Sequence, residues 1–247
     1  MKAAPQSQQR LLDLQELDAA LDRSAHRRRT LPETAEIERL EGRLTELRDA
    51  VVTAETEVSD LDREQKKAEQ DVDQVRTRAE RDQQRLDSGM VTSAKDLANL
   101  QSEIASLRRR QSDLEEVVLE IMERREEADA RAARLRTERE EAGRELTSVT
   151  ERRDAAWKEI DEEVAATGAA RTAVAKDVPD DLMALYEKLR AQFGGVGAAA
   201  LHRGRCQGCH LALNTVDLNR IRAAAQDEVV RCEECRRILI RTPESGL

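Results

Sequence analysis

The sequence has very few aromatic residues. Tryptophan, tyrosine and phenylalanine occur once each among 247 residues, as Trp157, Tyr186 and Phe193, and together they make up 1% of the chain. Because aromatic side chains supply much of the buried surface of compact cores, this shortage argues against one large globular core. Charged residues make up 38% and are interspersed with Ala, Leu and Val, a composition typical of long helices.

Long apolar runs are also missing. No run approaches the roughly 18 apolar residues of a membrane-spanning helix. Residues Met1 to Arg10 are polar and lack the apolar stretch of a signal peptide. We therefore expect a cytoplasmic protein without a membrane partner, in a compartment where thiols stay reduced.

The chain has only four cysteines, and all of them lie near its C-terminus. They form two Cys-x-x-Cys pairs, Cys206 with Cys209 and Cys232 with Cys235, separated by residues 210–231. Each pair can present two thiolates from one tight turn, so this spacing predicts one Zn²⁺ in a four-sulfur shell. Four thiolates leave no open coordination position, which indicates a structural and not a catalytic ion.

Other chemistry of the cysteines fits the sequence less well. A disulfide framework requires an oxidising compartment, and a thioredoxin-like pair requires a strand-to-helix context that neither pair has. An iron or iron–sulfur centre is a further alternative for four thiolates.

A heptad pattern dominates the first two thirds of the chain. Apolar residues at alternating spacings of three and four form two seams, one from Ile37 to Leu86 and one from Leu97 to Ile160. Gln65, Gln111 and Arg125 are among the few polar entries. Each seam predicts a long helix that buries a narrow stripe against another helix, and the partner is in the same chain.

Two interruptions set the predicted organisation of the coiled coil. Residues 87–93 contain Gly89, with Ser93 as a helix N-cap before Asp96, and predict a hairpin tip between antiparallel helices. Residues 30–33, Thr-Leu-Pro-Glu, resemble a capping box with proline in the first turn and predict a kink or restart. The opening helix, residues 8–29, is expected to pack its leucines against the C-terminal part.

The periodicity stops near Ala165, and the small residues 167–170 predict a linker. A short helix on Leu182, Leu185, Tyr186 and Leu189 follows. Strands are predicted around 198–203, 228–231 and 236–240, with a helix over 215–224. The predicted fold is thus mainly α: a long antiparallel coiled-coil hairpin, residues 1–165, and a small α+β zinc ribbon domain, residues 166–247.

Charge is distributed unevenly. The net charge is −9, but residues 201–247 contain eight arginines and six acidic residues, a balance of +2. We identify these arginines as a candidate binding face for nucleic acid or a partner: Arg203, Arg205, Arg220, Arg222, Arg231, Arg236, Arg237 and Arg241. The surplus is small and the ribbon has no aromatic residue for base stacking, so a solvated or protein-docking face is favoured.

The chain resembles a bacterial family in which a long antiparallel coiled-coil hairpin carries a C-terminal four-cysteine zinc ribbon. The resemblance lies in residues 204–210, 218–222 and 230–239, and in the tip segment 93–104. The family usually has glycine where this chain has Arg236. The resemblance implies a non-enzymatic protein, and some relatives are linked to flagellar regulation, messenger RNA, an alternative sigma factor and type III secretion.

Two hypotheses for function follow. In the first, the protein is a regulatory adaptor that recruits a protein, for example from the transcription machinery, through the hairpin tip or the ribbon. In the second, the arginine face binds RNA or DNA in transcriptional or post-transcriptional regulation. An enzyme is not expected, because the sequence shows no nucleophile–base set and no phosphate-binding glycine loop.

Overall fold

The computed structural model describes residues 1–247. Five helices and four short strands follow in chain order: α1 (Pro5–Arg29), α2 (Pro32–Asp87), α3 (Ala94–Ala175), α4 (Asp180–Gln192), β1 (Ala198–His202), β2 (Arg205–Cys206), α5 (Thr215–Ala223), β3 (Val230–Arg231) and β4 (Ile238–Ile240). The chain forms two compact units. One comprises Met1–Thr34 and Glu151–Leu247, and the other, the hairpin unit, comprises Ala35–Thr150. No helix is both long and apolar enough to span a membrane.

The hairpin unit is an antiparallel pair of helices. Ion pairs join α2 and α3 with opposite order along the two helices, for example Glu55 to Arg136 at 2.7 Å and Asp62 to Arg125 at 2.5 Å. The apolar seam residues are buried in small clusters, one of which contains Ile37, Leu40 and Val149. The heptad prediction is therefore confirmed.

The tip of the hairpin lies where the sequence predicts it. Helix α2 ends at Asp87 and α3 begins at Ala94. Gly89 has a φ of 69°, a conformation that glycine adopts without a steric penalty. The backbone N–H of Asp96 donates to the Ser93 hydroxyl at 3.4 Å, the contact expected of an N-cap.

The other unit builds its core from segments that are distant in sequence. Leu11 and Leu14 of α1 pack with Leu182 and Leu189 of α4 and with Ile238 of β4. The opening helix thus packs against the C-terminal part, as predicted. The N-terminal segment before α1 also contacts the C-terminal part of the chain, because the Ala3 N–H donates to the Asp227 carbonyl at 2.7 Å.

A buried carboxylate lies within this packing. Asp18 of α1 is 1% exposed and accepts hydrogen bonds from the Tyr186 hydroxyl at 2.7 Å and from Arg171 Nε at 2.6 Å. Arg190 Nε lies 3.5 Å from the same carboxylate, and Arg190 Nη2 pairs with Asp22 at 2.7 Å. Because the charge of Asp18 is compensated on several sides, it is tolerated at a buried position.

The sheet has the order β2-β1-β4-β3. Strand β1 pairs antiparallel with β2 and parallel with β4, while β3 pairs antiparallel with β4. The predicted strands and the short helix α5 are all present. Asn214 caps α5 by accepting from the Asp217 N–H at 2.8 Å.

Two local predictions are wrong. The linker expected at 167–170 is helical, and α3 continues to Ala175. Alanine favours helix, and the last turns are held by contacts of Val174 and Ala175 with the core. The capping box does not form, because the Thr30 hydroxyl donates to the His26 carbonyl at the end of α1. The predicted restart itself is confirmed, since α1 ends at Arg29 and α2 begins at Pro32.

The compact units also divide the chain differently from the predicted boundary at 165/166. That boundary falls inside α3, and α1 belongs to the same compact unit as the ribbon. The reason is the shared core of α1, α4 and the sheet, which local periodicity does not reveal.

Candidate metal centre

The central strands β1 and β4 position the two cysteine pairs. Cys206 ends β2, which is paired with β1, and Cys232 directly follows β3, which is paired with β4. The Gln207 N–H donates to the Ala200 carbonyl and the Cys232 N–H to the Arg237 carbonyl, both at 3.0 Å. The first cysteine turn is therefore tied to β1, and the second is closed by Arg237, the residue directly before β4.

The two turns share one backbone design. The residue directly after each second cysteine, His210 or Arg236, has a left-handed φ of 62° or 65°. Its N–H donates to the carbonyl of the first cysteine of the pair, at 2.7 Å for His210 and 2.9 Å for Arg236. A side chain at such a φ is strained, which gives a physical reason for glycine at the position of Arg236 in the family resembled.

The four sulfur atoms form one cluster. Cys206 Sγ lies 3.8 Å from Cys235 Sγ, Cys209 Sγ lies 4.0 Å from Cys232 Sγ, and all four lie within 4.8 Å of one another. Sulfurs on a tetrahedron around zinc, each about 2.3 Å from the ion, are about 3.8 Å apart. The geometry and the donor set therefore fit a single Zn²⁺.

Burial disfavours the ionised form of two of the thiols, those of Cys206 and Cys232. Burial raises the pKa of Cys206, and burial raises the pKa of Cys232 to about 12. At Cys235 burial acts in the same direction, but hydrogen bonds from Arg237 and the neighbouring cysteines outweigh it and lower the pKa to about 7. A divalent cation stabilises the thiolates that burial disfavours.

Close packing surrounds the first cysteine turn. The Gly208 N–H donates to Cys206 Sγ at 3.4 Å. A Cβ at Gly208 would lie 2.9 Å from Arg237 Cδ and 3.0 Å from Ala199 Cβ. This position therefore needs a residue without a side chain if both neighbours are to keep their places.

Neither histidine near the site joins the cluster of possible ligands. His210 is exposed. His202 instead places Nδ1 3.2 Å from Glu244. Four cysteines complete the shell without them, as the sequence indicates.

Three of the eight candidate arginines bind protein groups that are 13 or more residues away along the chain. Arg241 donates to backbone carbonyls of the segment 221–228, among them Ala224 at 2.9 Å and Ala225 at 2.7 Å. Arg237 donates to the Phe193 and Val196 carbonyls, both at 2.9 Å. Arg220 pairs with Glu233 at 2.5 Å. Arg237 and Arg241 thus tie separate segments of the chain together, while the Arg220 pair is exposed.

The remaining arginines divide into small groups. Arg231 and Arg236 lie together, because Arg231 Nε donates to the Arg236 carbonyl at 2.7 Å. Arg203 and Arg205 are exposed on the β1–β2 hairpin, and Arg222 bonds Asn219 within α5. The arginine face itself stays a prediction.

The sequence matches two family models. Residues 14–194 match the CT398-like coiled coil hairpin domain, and residues 205–239 match the C4-type zinc ribbon domain. The chain belongs to the CT398-like coiled-coil hairpin family. Its membership agrees with the hairpin and the four-cysteine cluster described above.

Three solved structures share the fold. One from Mycobacterium smegmatis is 39% identical, covers 98% of this chain and 100% of its own, and has a TM-score of 0.82. CT398 from Chlamydia trachomatis is 21% identical, covers 96% and 98% of the two chains, and has a TM-score of 0.69. The HP0958 protein from Helicobacter pylori is 15% identical, covers 97% and 98%, and has a TM-score of 0.51.

Among curated relatives, uncharacterized proteins of two Mycobacterium tuberculosis strains are 40% identical over 82 residues. The aligned part spans 33% of this chain and 33% of each relative. The similarity to these relatives therefore concerns about a third of each protein.

Sequence reasoning missed two features of the compact unit that contains the centre. It did not single out Asp18, whose charged partners lie more than 150 residues away along the chain. It also assigned Arg241 to a surface, although carbonyls of a loop converge on it. A carboxylate at a position that packs inward, one turn after Leu14, was the available signal for Asp18.

Proposed function

We propose that this protein is a non-enzymatic, cytoplasmic zinc-binding adaptor that recruits a protein partner through the hairpin tip or the ribbon. The observation that carries the proposal is the exposure of apolar side chains at both places. Met90 at the tip is 80% exposed, and on the ribbon Leu211 and Val216 are 51% and 75% exposed. Burial of such exposed apolar side chains against a second protein is favourable in free energy, because it removes their apolar surface from water.

The metal supports this role by stabilising the ribbon. Four thiolates fill the tetrahedral shell, so the ion offers no position for a substrate or an activated water. A zinc-stabilised ribbon can present Leu211, next to the first cysteine turn, in a fixed conformation. The chemistry of the centre therefore favours recognition over catalysis.

Nucleic-acid binding is the second candidate. Arg203, Arg205 and Arg236 are exposed and form no ion pair with a carboxylate. Binding through these three would fall steeply with salt, because each neutralised phosphate releases counterions. Glu233 compensates the charge of Arg220, and backbone carbonyls occupy donors of Arg237 and Arg241, so fewer guanidinium groups are free to bind phosphates.

A pull-down with the zinc-loaded full chain tests the proposal. Lysate is divided into nuclease-treated and untreated halves, and retained proteins and nucleic acids are identified. The variants are Met90→Ser at the tip and the double variant Leu211→Ser, Val216→Ser on the ribbon. Val52→Ser is the matched control, since Val52 is 62% exposed on the hairpin away from the tip.

The adaptor proposal predicts a protein that survives nuclease, is lost with one of the two apolar variants and is kept by the control. Retention of RNA or DNA, loss of all proteins with nuclease, and loss of binding in Arg203→Gln, Arg205→Gln, Arg236→Gln would contradict it. That second pattern would assign the function to nucleic-acid binding.

A further inference from the structure

The two long helices of the hairpin unit each contain a glycine in their interior, Gly42 in α2 and Gly143 in α3. Gly42 is the only glycine of α2, and α3 has one other, Gly168. Apart from proline, glycine is the least favourable residue in a helix interior, because its backbone loses the most conformational freedom on folding. Each helix is therefore intrinsically weaker at its glycine than in the turns around it.

Packing does not require a glycine at either position. A Cβ added at Gly42 or at Gly143 would meet no atom within 4 Å, and neither residue has a positive φ. At Gly197 and Gly208, by contrast, neighbouring atoms lie within 3.0 Å of such a Cβ. An alanine would fit at both helical positions and would favour the helix, so the glycines make these helices weaker without any gain in contacts.

The two glycines lie at the same level of the hairpin unit. In α2 the flanking residues are Arg39 and Arg43, which pair across the hairpin with Glu145 at 4.0 Å and with Glu138 at 3.4 Å. These two glutamates flank the glycine of α3. Because an uninterrupted helix supports the helix packed beside it, an antiparallel pair bends readily only where both helices are weak at one level.

A second observation points to the same level. The hydroxyls of Thr45 and Thr147 donate, both at 3.0 Å, to the carbonyl of Glu41, next to Gly42, and to the carbonyl of Gly143. Such a bond to the carbonyl four residues earlier slightly destabilises a helix and often bends it. Similar threonine bonds elsewhere in the hairpin unit have no glycine beside them.

The contacts between the helices are also weak at this level. Helix α3 contributes Arg139 and Ala142 to the seam here, in place of two large apolar side chains. The two ion pairs across the hairpin are exposed and contribute little free energy. Clusters of buried aliphatic side chains hold the helices together on either side, around Leu40 and around Leu61.

We propose that Gly42 and Gly143 form a paired hinge at which the hairpin unit bends. Bending there redirects the part of the hairpin that ends in the tip, while the two helices stay paired on both sides of the hinge. Glycine is a recognised cause of bends in long helices. The hinge goes beyond the proposed function and does not depend on it.

Amide hydrogen exchange of the zinc-loaded full chain tests the hinge. Residues 39–47 and 139–147 should exchange faster than the turns on either side of them. Gly42→Ala should slow exchange about fivefold in both segments, because alanine favours the helix by about this factor at one position and a shared opening involves both helices. Gly143→Ala should have the same effect on both segments.

Gly168→Ala is the matched control. A Cβ at Gly168 also meets no atom within 4 Å, and Thr172 donates to its carbonyl at 2.8 Å, but α1, which contacts this part of α3, contains no glycine. This variant should slow exchange only around residue 168. Uniform exchange along α2 and α3, or a Gly42→Ala variant that slows exchange in α2 alone, would overturn the paired hinge.

Relaxation dispersion of protein labelled with ¹⁵N only at glycine measures the motion itself, since the chain has 10 glycines. Gly42 and Gly143 should show one common exchange rate, and Gly168 should show none. Different rates at the two glycines, or no exchange at either, would show that the two helices do not bend together. Neither measurement needs another protein, so both outcomes are independent of the pull-down.

Discussion

At the residue scale, the left-handed residue after each cysteine pair has a direct energetic consequence. Arg236 has a φ of 65°, and its side chain is exposed. Arg236→Gly should stabilise the zinc-loaded ribbon by about 1 kcal/mol, because glycine adopts this conformation without strain. Thermal unfolding measures the change. Arg236→Ala removes the same charge but keeps a Cβ, so it should give no comparable gain; equal gains would rule out backbone strain as the cause.

Tyr186 offers a second test at this scale, because it is the only tyrosine in the chain. Burial first, and then the hydrogen bond to Asp18, raises its pKa above the ordinary value of 10.0. A raised pKa contributes stability that is complete below about pH 10 and is lost as the pH rises further. Tyrosinate absorbance should therefore appear only as the unit unfolds in alkali.

Tyr186→Phe is the control for this titration. It should shift the alkaline unfolding transition and cost about 1 kcal/mol near neutral pH, because Asp18 loses a donor. Ionisation of Tyr186 near pH 10 in the folded protein would show that the hydroxyl is not buried against Asp18.

The residues of the metal centre were predictable, but the roles of the arginines were not. Cysteine spacing alone identifies the four ligands, since two short turns suffice to define it. Arg241 binds carbonyls that only the folded loop 221–228 brings together. Sequence shows where a charge is, and not which backbone groups converge on it.

At the scale of elements, heptad spacing predicted α2, most of α3 and the tip, because burial of one narrow stripe decides those structures. It failed at the end of α3, where periodicity stops but the helix does not. There Arg171 binds Asp18 and Glu187, contacts to α1 and α4 that no local pattern contains.

Removal of zinc should affect the elements unequally. Loss of the ion should unfold the sheet and α5, which has 9 residues, but leave α2 and α3 with 56 and 82 residues helical. Chelation should therefore abolish the amide shift dispersion of residues 198–240 while the circular dichroism at 222 nm changes little. Loss of most of the helical signal would show that the hairpin depends on the metal. His210→Ala, beside a ligand but outside the cluster, should behave as the unchanged protein does.

At the scale of the whole molecule, the chain combines two compact units that sequence divides at a different place. Periodicity distinguishes a coiled coil from a ribbon, but α1 shares its core with α4 and β4 and lies in the same compact unit as the ribbon. Which distant segment covers an amphipathic helix depends on tertiary contacts. The sequence therefore predicts the two architectures better than the grouping of their parts.

Charge at this scale is consistent with the adaptor proposal. Residues 1–200 carry a net charge of −11 against +2 for the remainder, since the total is −9. The acidic part repels phosphates, so any nucleic acid would have to bind at the ribbon alone. There, Arg220, Arg237 and Arg241 already bind other groups of the protein.

Native mass spectrometry of the reduced full chain measures the central feature most directly, because the proposed function depends on a zinc-stabilised ribbon. One Zn²⁺ should be bound per chain in the unchanged protein, and Cys206→Ser should lose it. The His210→Ala variant should retain one ion. A protein that binds no zinc when supplied with it, or a Cys206→Ser variant with unchanged zinc content, would contradict the four-cysteine centre.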